Sequence, residues 1–162
     1  MALNAIVFEG FMANINDSRF IEEIMTLPDS LKGQFFADNA HRIIDDAAYW
    51  NVLGTLWKLG GTVYQQEQWR VLFLCDRKQK HKIMKSRERK KWRRLPTKMM
   101  AYRAVNNDSE AAKAISWSLS KSVVERCFTG GNQRQIVARE FLKSEIFAFF
   151  DRRGEDEILV NL

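Results

Sequence analysis

Glu155 and Glu157 stand two residues apart in the segment RGEDEILVNL near the end of the chain. On a β-strand that begins at Glu155, side chains two apart point to the same face, so the two carboxylates would lie side by side. Other apolar segments also carry isolated polar groups, with Arg103 in AYRAV and both Ser116 and Ser118 in ISWSL. Two like charges on one face raise the question of which positive group they would interact with.

The order Arg, then Ser-x-Ser, then Glu-x-Glu resembles the mono-ADP-ribosyltransferases of the Arg-Ser-Glu class. It is similar above all to small phage and bacterial members, which read approximately Tyr-Arg-Gly, then Ser-Trp-Thr, then Arg-Gly-Glu-x-Glu. The matching segments are AYRAV, ISWSLSKSVVERCF and FFDRRGEDEILV, and the resemblance covers residues 98–162. Two positions depart from the family pattern: Ala104 stands where Gly is usual, and Trp117 replaces the middle Thr of the broader Ser-Thr-Ser pattern.

The resemblance implies a reaction that cleaves the bond between nicotinamide and ribose in NAD. This cleavage builds positive charge on the ribose, and a nearby carboxylate stabilises the oxocarbenium-like state, as in glycoside hydrolysis. The family role of the second glutamate falls on Glu157, which would also hydrogen-bond a ribose hydroxyl. Glu155 would meet the acceptor, because in the family the first glutamate accompanies modification of arginine side chains. The paired charges would then serve a cationic transition state and a cationic acceptor.

The resemblance also implies which residues bind NAD. Arg103 would hold the diphosphate, because a guanidinium offers paired donors to phosphate oxygens, and Ala104 follows it in the same motif. Ser116 and Ser118 would steady the nicotinamide ribose and orient the second glutamate. Phe128 would line the nicotinamide pocket.

Each of these residues also has a purely structural explanation. Outward charges on an edge strand discourage aggregation, a lone Arg in an apolar strand is often paired at a sheet edge, and an aromatic residue at a helix end often belongs to the core. Three matches in the same order, together with Trp117 and the Arg-Gly pair before the glutamates, favour the enzymatic hypothesis.

The apolar pattern predicts helices over the first ninety or so residues. Apolar side chains recur at spacings of three and four from Phe20 to Leu59, after Asp17 and Ser18, which can cap the first helix, and with Pro28 ending it. No internal repeat or low-complexity linker interrupts this region. We therefore expect several helices joined by short turns.

After residue 96 the pattern changes to short strand-like segments separated by turn residues. The predicted strands are KMMAYRAV, AKAISWSLS, RQIVAREFL, EIFAFF and DEILVNL, with a turn at NNDS and one short helix at KSVVERCF. A helical region followed by a strand-rich region predicts the α+β class. The expected organisation is a helical region over 1–96 and, as the resemblance implies, a compact ADP-ribosyltransferase-like β-sandwich over 97–162.

The composition limits which cofactors and which cellular location are expected for this protein. Of the 162 residues 46% are hydrophobic, yet no apolar run approaches the ~20 residues that span a bilayer, so no membrane partner is expected. Cys75 and Cys127 are isolated, which predicts reduced thiols in a cytosol. With only His41 and His81 beside them, no zinc or other metal site is expected. NAD is the one cofactor that the resemblance implies.

Positive charge is concentrated in one segment, residues 77–98. This basic segment holds twelve Lys or Arg and one acid, Glu88, a net +11 in a chain of net +6, which leaves about −5 for the remainder. A local concentration of this kind is typical of a docking surface for phosphates or an acidic partner. The residues expected to bind the partner are Lys90, Lys91, Arg93 and Arg94. A solvated helix face is the alternative explanation.

The function predicted is an NAD-dependent mono-ADP-ribosyltransferase of phage or bacterial origin, acting in a bacterial cytosol in the takeover of a host. Its target would be a macromolecule, a protein modified on arginine being the leading case, and either acidic or associated with nucleic acid. One alternative is a non-catalytic basic module of phage origin that binds nucleic acid or protein. Another is a relative of the fold that has lost catalysis and serves as an interaction module.

Overall fold

The computed structural model describes residues 15–60 and 66–161. The chain divides into two compact units, Met1–Ser86 and Arg87–Leu162. The described part of the first unit is helical and the second carries the strands, so the predicted α+β class is confirmed. The boundary falls inside the basic segment, whereas a division after residue 96 was expected from the sequence. Across the described ranges, no helix is both long and apolar enough to span a membrane.

The described part of the first unit is helical. Its described elements are α1 (Ile15–Met25), α2 (Asp29–Asn39), α3 (Asp46–Gly60) and α4 (Gln66–Phe73), with 3₁₀ turns at Ala40–Arg42 and Lys80–Ile83. Short segments connect α1, α2 and α3. Pro28 separates α1 from α2, because its ring prevents the preceding helix from continuing. Aromatic side chains fill the interior, and Trp50 and Trp69 are almost completely buried.

Asp17 has a different role from the one predicted. It lies inside α1 rather than at its cap, and its carboxylate is completely buried. The carboxylate accepts hydrogen bonds from the backbone N–H groups of Ile44 and Asp45, at 2.8 and 2.9 Å, just before α3. A buried carboxylate is tolerated only with such donors, so Asp17 fixes the turn that starts α3.

The second unit is built around an antiparallel sheet. Its elements are α5 (Ser86–Arg93, starting at the boundary), β1 (Lys98–Val105), α6 (Asp108–Lys113), β2 (Ser116–Ser118), α7 (Lys121–Cys127), β3 (Gln135–Leu142), a 3₁₀ turn (Lys143–Glu145), β4 (Ile146–Phe150) and β5 (Glu157–Val160). The strand order is β3-β1-β2-β5-β4, and each neighbouring pair is antiparallel. The described strands thus join in one sheet, whereas a β-sandwich was expected.

Two local predictions in this unit need correction. The chain does bend at Asn106 and Asn107 of the predicted turn NNDS, but its second half starts the unexpected helix α6, which Asn107 caps by accepting a 2.9 Å hydrogen bond from the N–H of Glu110. The last strand was predicted to begin at Glu155, but β5 begins at Glu157. Asp156 has φ of 46°, which is left-handed and interrupts the extended backbone. The side-chain alternation that would pair Glu155 with Glu157 on one strand therefore does not apply.

The packing of Trp117 determines which way β2 faces. Trp117 is 2% exposed, its ring meets that of Phe141 edge-on at 5.2 Å, and its indole N–H donates to the carbonyl of Ala114 at 2.9 Å. Because neighbouring side chains on a strand alternate, burial of Trp117 in the core directs Ser116 and Ser118 to the opposite face. The core thereby orients the two hydroxyls.

Candidate active site

Strand β2 lies between β1 and β5 and is the centre of the candidate site. Ser118 is the register partner of Glu157 on β5, and Ser116 is the partner of Leu159. Directly opposed residues of antiparallel strands share a face. Ser116, Ser118 and Glu157 consequently emerge on one side of the sheet, away from the Trp117 core.

Ser116 and Glu157 are joined by a short hydrogen bond. The Ser116 Oγ donates to Glu157 Oε2 at 2.5 Å, linking residues 41 positions apart in the sequence. Glu157 is 8% exposed, so its carboxylate is largely removed from water. A carboxylate held in this way acts on a nearby charge more strongly than a solvated one would.

Arg103 reaches the same strand from β1. Tyr102, not Arg103, is the register partner of Ser118, so Arg103 leaves β1 from the other face. Its long side chain nevertheless donates from Nη1 to the backbone carbonyl of Ser116 at 2.8 Å. Ser116 therefore connects the two predicted residues, holding Arg103 through its carbonyl and Glu157 through its hydroxyl.

Ser118 binds the loop before β5 rather than the carboxylate of Glu157. Its Oγ donates to the backbone carbonyl of Glu155 at 2.6 Å and accepts from the N–H of Ser120 at 3.0 Å. The backbone N–H of Leu119 reinforces the contact by donating to the carbonyl of Asp156 at 2.9 Å. Ser118 thus fixes the backbone of Glu155, whose side chain is half-buried outside the strand.

A second acidic residue, Glu110 of α6, joins Arg103 to another arginine. Glu110 Oε1 lies 2.6 Å from Arg134 Nη2 and 3.7 Å from Arg103 Nη2. Glu110 Oε2 accepts from both the backbone N–H and the side-chain amide of Asn106, at 2.9 and 3.2 Å. The carboxylate is therefore held on one oxygen and bound to two guanidinium groups on the other.

The charges in this cluster shift two pKa values. Burial lowers the pKa of Arg103, and the positive charge of Arg134 lowers it further, while Glu110 and Glu157 oppose the shift. Burial of Glu110 raises its pKa as the largest single cause, but the hydrogen bonds from Asn106 and the charges of both arginines outweigh it. The pKa of Glu110 is lowered as a result, and the carboxylate is favoured in its charged form.

The other two predicted NAD contacts contribute no side chain to this hydrogen-bond network. Ala104 is 3% exposed and pairs with Ile136 in a regular part of β1, without the positive φ that would require glycine. Phe128 follows α7 and is 40% exposed. Its carbonyl accepts a long hydrogen bond of 3.5 Å from Arg134 Nη1. Phe128 therefore approaches the cluster by its backbone.

Sequence reasoning missed Glu110 and Arg134. Glu110 carried a recognisable signal, because Asn107 followed three residues later by a glutamate is typical of a helix start. Arg134 had a weaker signal, since it follows the turn at Gly130–Gly131. Both glycines have positive φ, 59° and 71°, which a side chain would strain, and the N–H of Arg134 closes the turn on the carbonyl of Thr129 at 3.0 Å.

The predicted partner-binding residues lie on or next to α5. Lys90, Lys91, Arg93 and Arg94 are all exposed. Among these, Lys91 contacts Asp151 Oδ2 at 2.5 Å, in the loop that leads to Glu155. A buried pair anchors the same helix, because Glu88 Oε1 accepts from Arg152 Nε at 3.0 Å and Glu88 is 1% exposed.

Not all of the basic segment is available for docking. Arg77, in the first unit, donates to the carbonyls of Ala40 and Ile43 at 3.2 and 2.8 Å and pairs with Asp46 at 3.2 Å. Its guanidinium also lies 4.9 Å from the ring centre of Tyr49. Arg77 is thus a structural cation, and the exposed charge of the segment is concentrated further along, on and around α5.

Comparison with protein-family models, curated proteins and solved structures found no match for this chain. Within residues 15–60 and 66–161, no group of three or more His, Cys, Asp or Glu side chains is arranged to hold a metal ion. The comparisons therefore give no independent indication of the chemistry of the candidate site.

Proposed function

We propose that the chain is an NAD-dependent mono-ADP-ribosyltransferase that modifies a macromolecular target in a bacterial cytosol. The proposal combines the motif resemblance of residues 98–162 with the arrangement of the residues that carry it. Three polar residues that the motif names, Arg103, Ser116 and Glu157, come from three neighbouring strands. The single observation that carries the proposal is their joint connection through Ser116, with contacts of 2.8 and 2.5 Å.

In the proposed reaction, the bond between the nicotinamide nitrogen and the ribose carbon breaks, and nicotinamide leaves with the bonding electrons. Glu157 stabilises the positive charge that develops on the ribose. Ser116 fixes the Glu157 carboxylate, so less reorganisation is needed as that charge forms. The acceptor then donates an electron pair to the ribose carbon and loses a proton, with water as acceptor in the hydrolytic reaction.

Arg103 would provide positive charge for the diphosphate of NAD. A guanidinium forms paired, charge-assisted hydrogen bonds to phosphate oxygens. In the structure one donor of Arg103 is bound to the Ser116 carbonyl, and its side chain is 25% exposed. Glu155, in the loop before β5, would meet the acceptor, and an arginine side chain suits its charge.

The test of this function is incubation of the pure protein with radiolabelled NAD, with and without a bacterial lysate. We expect release of nicotinamide by the protein alone and a discrete labelled protein band with the lysate. The Glu157→Gln variant, folded as judged by circular dichroism, should give neither. Absence of both activities from the folded wild-type protein at millimolar NAD would refute the enzymatic proposal.

The second candidate function is binding of nucleic acid through α5. The observation that favours it is the exposure of Lys90, Arg93 and Arg94 on or directly after one helix. Contacts to phosphates release counterions, so this binding would weaken steeply as salt is added. Tight, salt-sensitive binding of DNA or RNA by a protein that does not consume NAD would establish this function in place of the first.

A further inference from the structure

The two edge strands of the described sheet, β3 and β4, differ in how they are protected. β4 has only five residues, its register is irregular between Ile146 and Ala148, and all of its residues except Phe147 are buried. A short strand, irregular pairing and burial are common ways of protecting a sheet edge. β3 has eight residues, pairs with β1 one for one and contains no proline or glycine. The backbone features that protect β4 are therefore missing from β3.

Alternate residues of β3 direct their backbone groups away from the sheet. The N–H of Lys143 donates to the carbonyl of Thr97 at 2.8 Å, one position beyond the pair of Lys98 and Leu142. Because bonded and non-bonded pairs alternate along antiparallel strands, the odd-numbered residues of β3 bond to β1 and the even-numbered residues face outward. Among the described residues, no protein group accepts from the N–H groups of three of these outward residues. We call these three residues the open row: Ile136, Ala138 and Glu140.

The open row ends at the same distance on both sides of Ala138. On the C-terminal side, the next outward N–H is that of Leu142, which already donates to Glu145 Oε2 at 2.7 Å. On the N-terminal side, the next outward N–H is that of Arg134, which already donates to the carbonyl of Thr129 at 3.0 Å. The free backbone groups of this edge are therefore arranged symmetrically about Ala138.

Two charged residues of β3 could protect the edge, but both contact groups of their own sheet. The guanidinium carbon of Arg139 lies 5.0 Å from the ring centre of Phe141. Glu140 Oε1 lies 3.8 Å from Lys98 Nζ, beside the C-terminal end of β3. Both charged groups are thus directed away from Ala138, whose side chain is exposed. The centre of the open row therefore carries a small apolar side chain and no charge to repel a second strand.

We propose that β3 is a dimerisation edge, at which a second copy of this chain pairs its own β3 antiparallel about a two-fold axis at Ala138. In this register Ala138 faces its own counterpart, and Ile136 of each copy faces Glu140 of the other. Each of these opposed pairs exchanges both backbone hydrogen bonds, so the two open rows satisfy each other completely. Like charges are not directly opposed, because Arg139 faces Val137.

The backbone groups that are already bonded exclude the other symmetric registers. An axis at Glu140 would oppose two like charges and would pair Ala138 with Leu142, whose N–H is taken. An axis at Ile136 would pair Ala138 with Arg134, whose N–H is also taken. An axis at an odd-numbered residue would require groups that are bonded to β1. Because β4 does not offer a second edge of this kind, the pairing is isologous and closes at a dimer.

Sedimentation velocity of the full chain, from micromolar to millimolar concentration, tests whether the dimer forms. The interface consists of one strand from each copy, so we expect a weak dimer that dissociates on dilution. Amide hydrogen exchange tests the register. The N–H groups of Ile136, Ala138 and Glu140 should exchange at least about 10-fold more slowly in the concentrated sample. Those of Val137 and Arg139 are bonded to β1 and should be protected in both samples.

Charged variants at Ala138 test the position of the axis. Ala138→Lys and Ala138→Asp each oppose two like charges, so each variant alone should have a dissociation constant at least about 10-fold higher than wild type. An equimolar mixture of the two variants should associate again as a heterodimer, because opposite charges then face each other. Ala112→Lys and Ala112→Asp, at an exposed alanine of α6, are the matched controls and should dimerise like wild type.

Ala138→Pro keeps the test decisive if a charged variant does not fold. It removes an outward N–H and leaves the bonds between β3 and β1 in place, as is usual for proline on an edge strand. Circular dichroism and thermal melting verify the fold of each variant, and Ala138→Pro should be monomeric.

Three results would overturn the proposal. They are a wild-type protein that stays monomeric at millimolar concentration, a dimer that persists unchanged in the folded Ala138 variants, and a mixture of Ala138→Lys and Ala138→Asp that does not associate. The dimerisation edge does not depend on the proposed function. Because none of these measurements uses NAD, failure of one proposal leaves the other intact.

Discussion

Ser116 donates a 2.5 Å hydrogen bond to Glu157 across 41 residues of sequence, and Glu157 is 8% exposed. The hydroxyl therefore fixes the position of the carboxylate. Because Trp117, between the two serines, is locked in the core, the orientation of this hydroxyl depends on packing on the far side of the sheet. Adjacent residues of one three-residue strand thus contribute to the core and to the candidate site.

The first prediction concerns the two glutamates. Glu157→Gln removes the buried carboxylate charge but keeps the side-chain size, and we expect it to lower NAD hydrolysis at least about 100-fold. Glu155 lies outside the strand, so Glu155→Gln should affect NAD hydrolysis much less, while it should reduce transfer of ADP-ribose to protein. Nicotinamide release and labelling of a target protein, measured in parallel, check the two effects. Equal loss of both activities in Glu155→Gln would contradict the division of roles.

The second prediction separates the two serines. Ser116→Ala removes the hydrogen bond to the buried carboxylate of Glu157, so it should lower kcat for NAD hydrolysis about 10-fold and cost about 1 to 3 kcal/mol of stability. Ser118→Ala leaves the carbonyl of Glu155 without its 2.6 Å donor and should cost about 1 kcal/mol of stability. Urea unfolding and steady-state kinetics measure both quantities. Ser144→Ala, at an exposed serine, is the control, and behaviour of Ser116→Ala like this control would contradict its positioning role.

The strands of the second unit were largely predictable from the sequence. The segment KMMAYRAV corresponds to β1 in full, and β3, β4 and α7 lie within the segments predicted for them. Their apolar spacing, β-branched and aromatic residues and flanking turn residues provide local signals. Local signals failed at Asp156, where a left-handed residue ends the extended chain without a glycine to mark it.

The sequence named part of the candidate site but did not specify how its residues would be connected. The motif named Arg103, Ser116 and Glu157, but their contact depends on the order β1-β2-β5, in which β2 and β5 are distant in sequence. No pattern within one strand specifies which strands become neighbours. Likewise, Arg134 is brought to Glu110 by tertiary structure across 24 residues, which explains why its role could not be inferred from the sequence.

The third prediction concerns the buried pair that joins α5 to the loop before β5. Arg152 Nε lies 3.0 Å from Glu88 Oε1, and Glu88 is 1% exposed. Arg152→Ala leaves a buried carboxylate without this partner, so we expect a loss of about 3 kcal/mol in the free energy of unfolding. The neighbouring Arg153 is exposed, and Arg153→Ala should change stability by less than about 0.5 kcal/mol. Urea denaturation measures both, and equal effects would contradict a special role for Arg152.

The fourth prediction is a pH dependence of stability from Glu110. Its folded pKa is lowered from the ordinary value of 4.5, so the folded state binds the proton less readily than the unfolded chain does. The stabilisation is thus complete above about pH 4.5 and is lost as the pH falls through the lower folded pKa. Urea unfolding from pH 6 to pH 3 should show a shallower acid-side loss of stability for Glu110→Gln than for wild type.

The control for this experiment is Glu125→Gln on α7. Glu125 is exposed, and its Oε1 lies 3.6 Å from Lys121 Nζ. The variant therefore removes one carboxylate without disturbing the contacts of Glu110 with Arg103 and Arg134. It should follow the wild-type pH profile closely. If Glu110→Gln lost stability on acidification as steeply as wild type, the lowered pKa of Glu110 would not contribute to stability.

The fifth prediction concerns target binding by α5. Lys91 forms an ion pair with Asp151, so its removal would also disturb the loop near Glu155. The informative variant therefore leaves Lys91 unchanged and replaces Lys90, Arg93 and Arg94 with Gln. None of the three is within the Arg103–Ser116–Glu157 network, so NAD hydrolysis should remain within about 2-fold of wild type. Binding to a nucleic acid should weaken, and the slope of log K against log salt should fall by about one unit for each phosphate that the variant no longer binds.

A charge-matched triple variant distinguishes this surface from net charge. Lys98, Lys121 and Arg126 are exposed residues of the same unit that lie outside α5, and changing them to Gln lowers the net charge by the same amount. If α5 is the docking surface, only the α5 triple reduces target labelling and the salt slope. Equal effects of both triples would mean that binding responds to overall charge. No effect of either triple, in a protein that still hydrolyses NAD, would mean that α5 carries its charge only as a solvated helix.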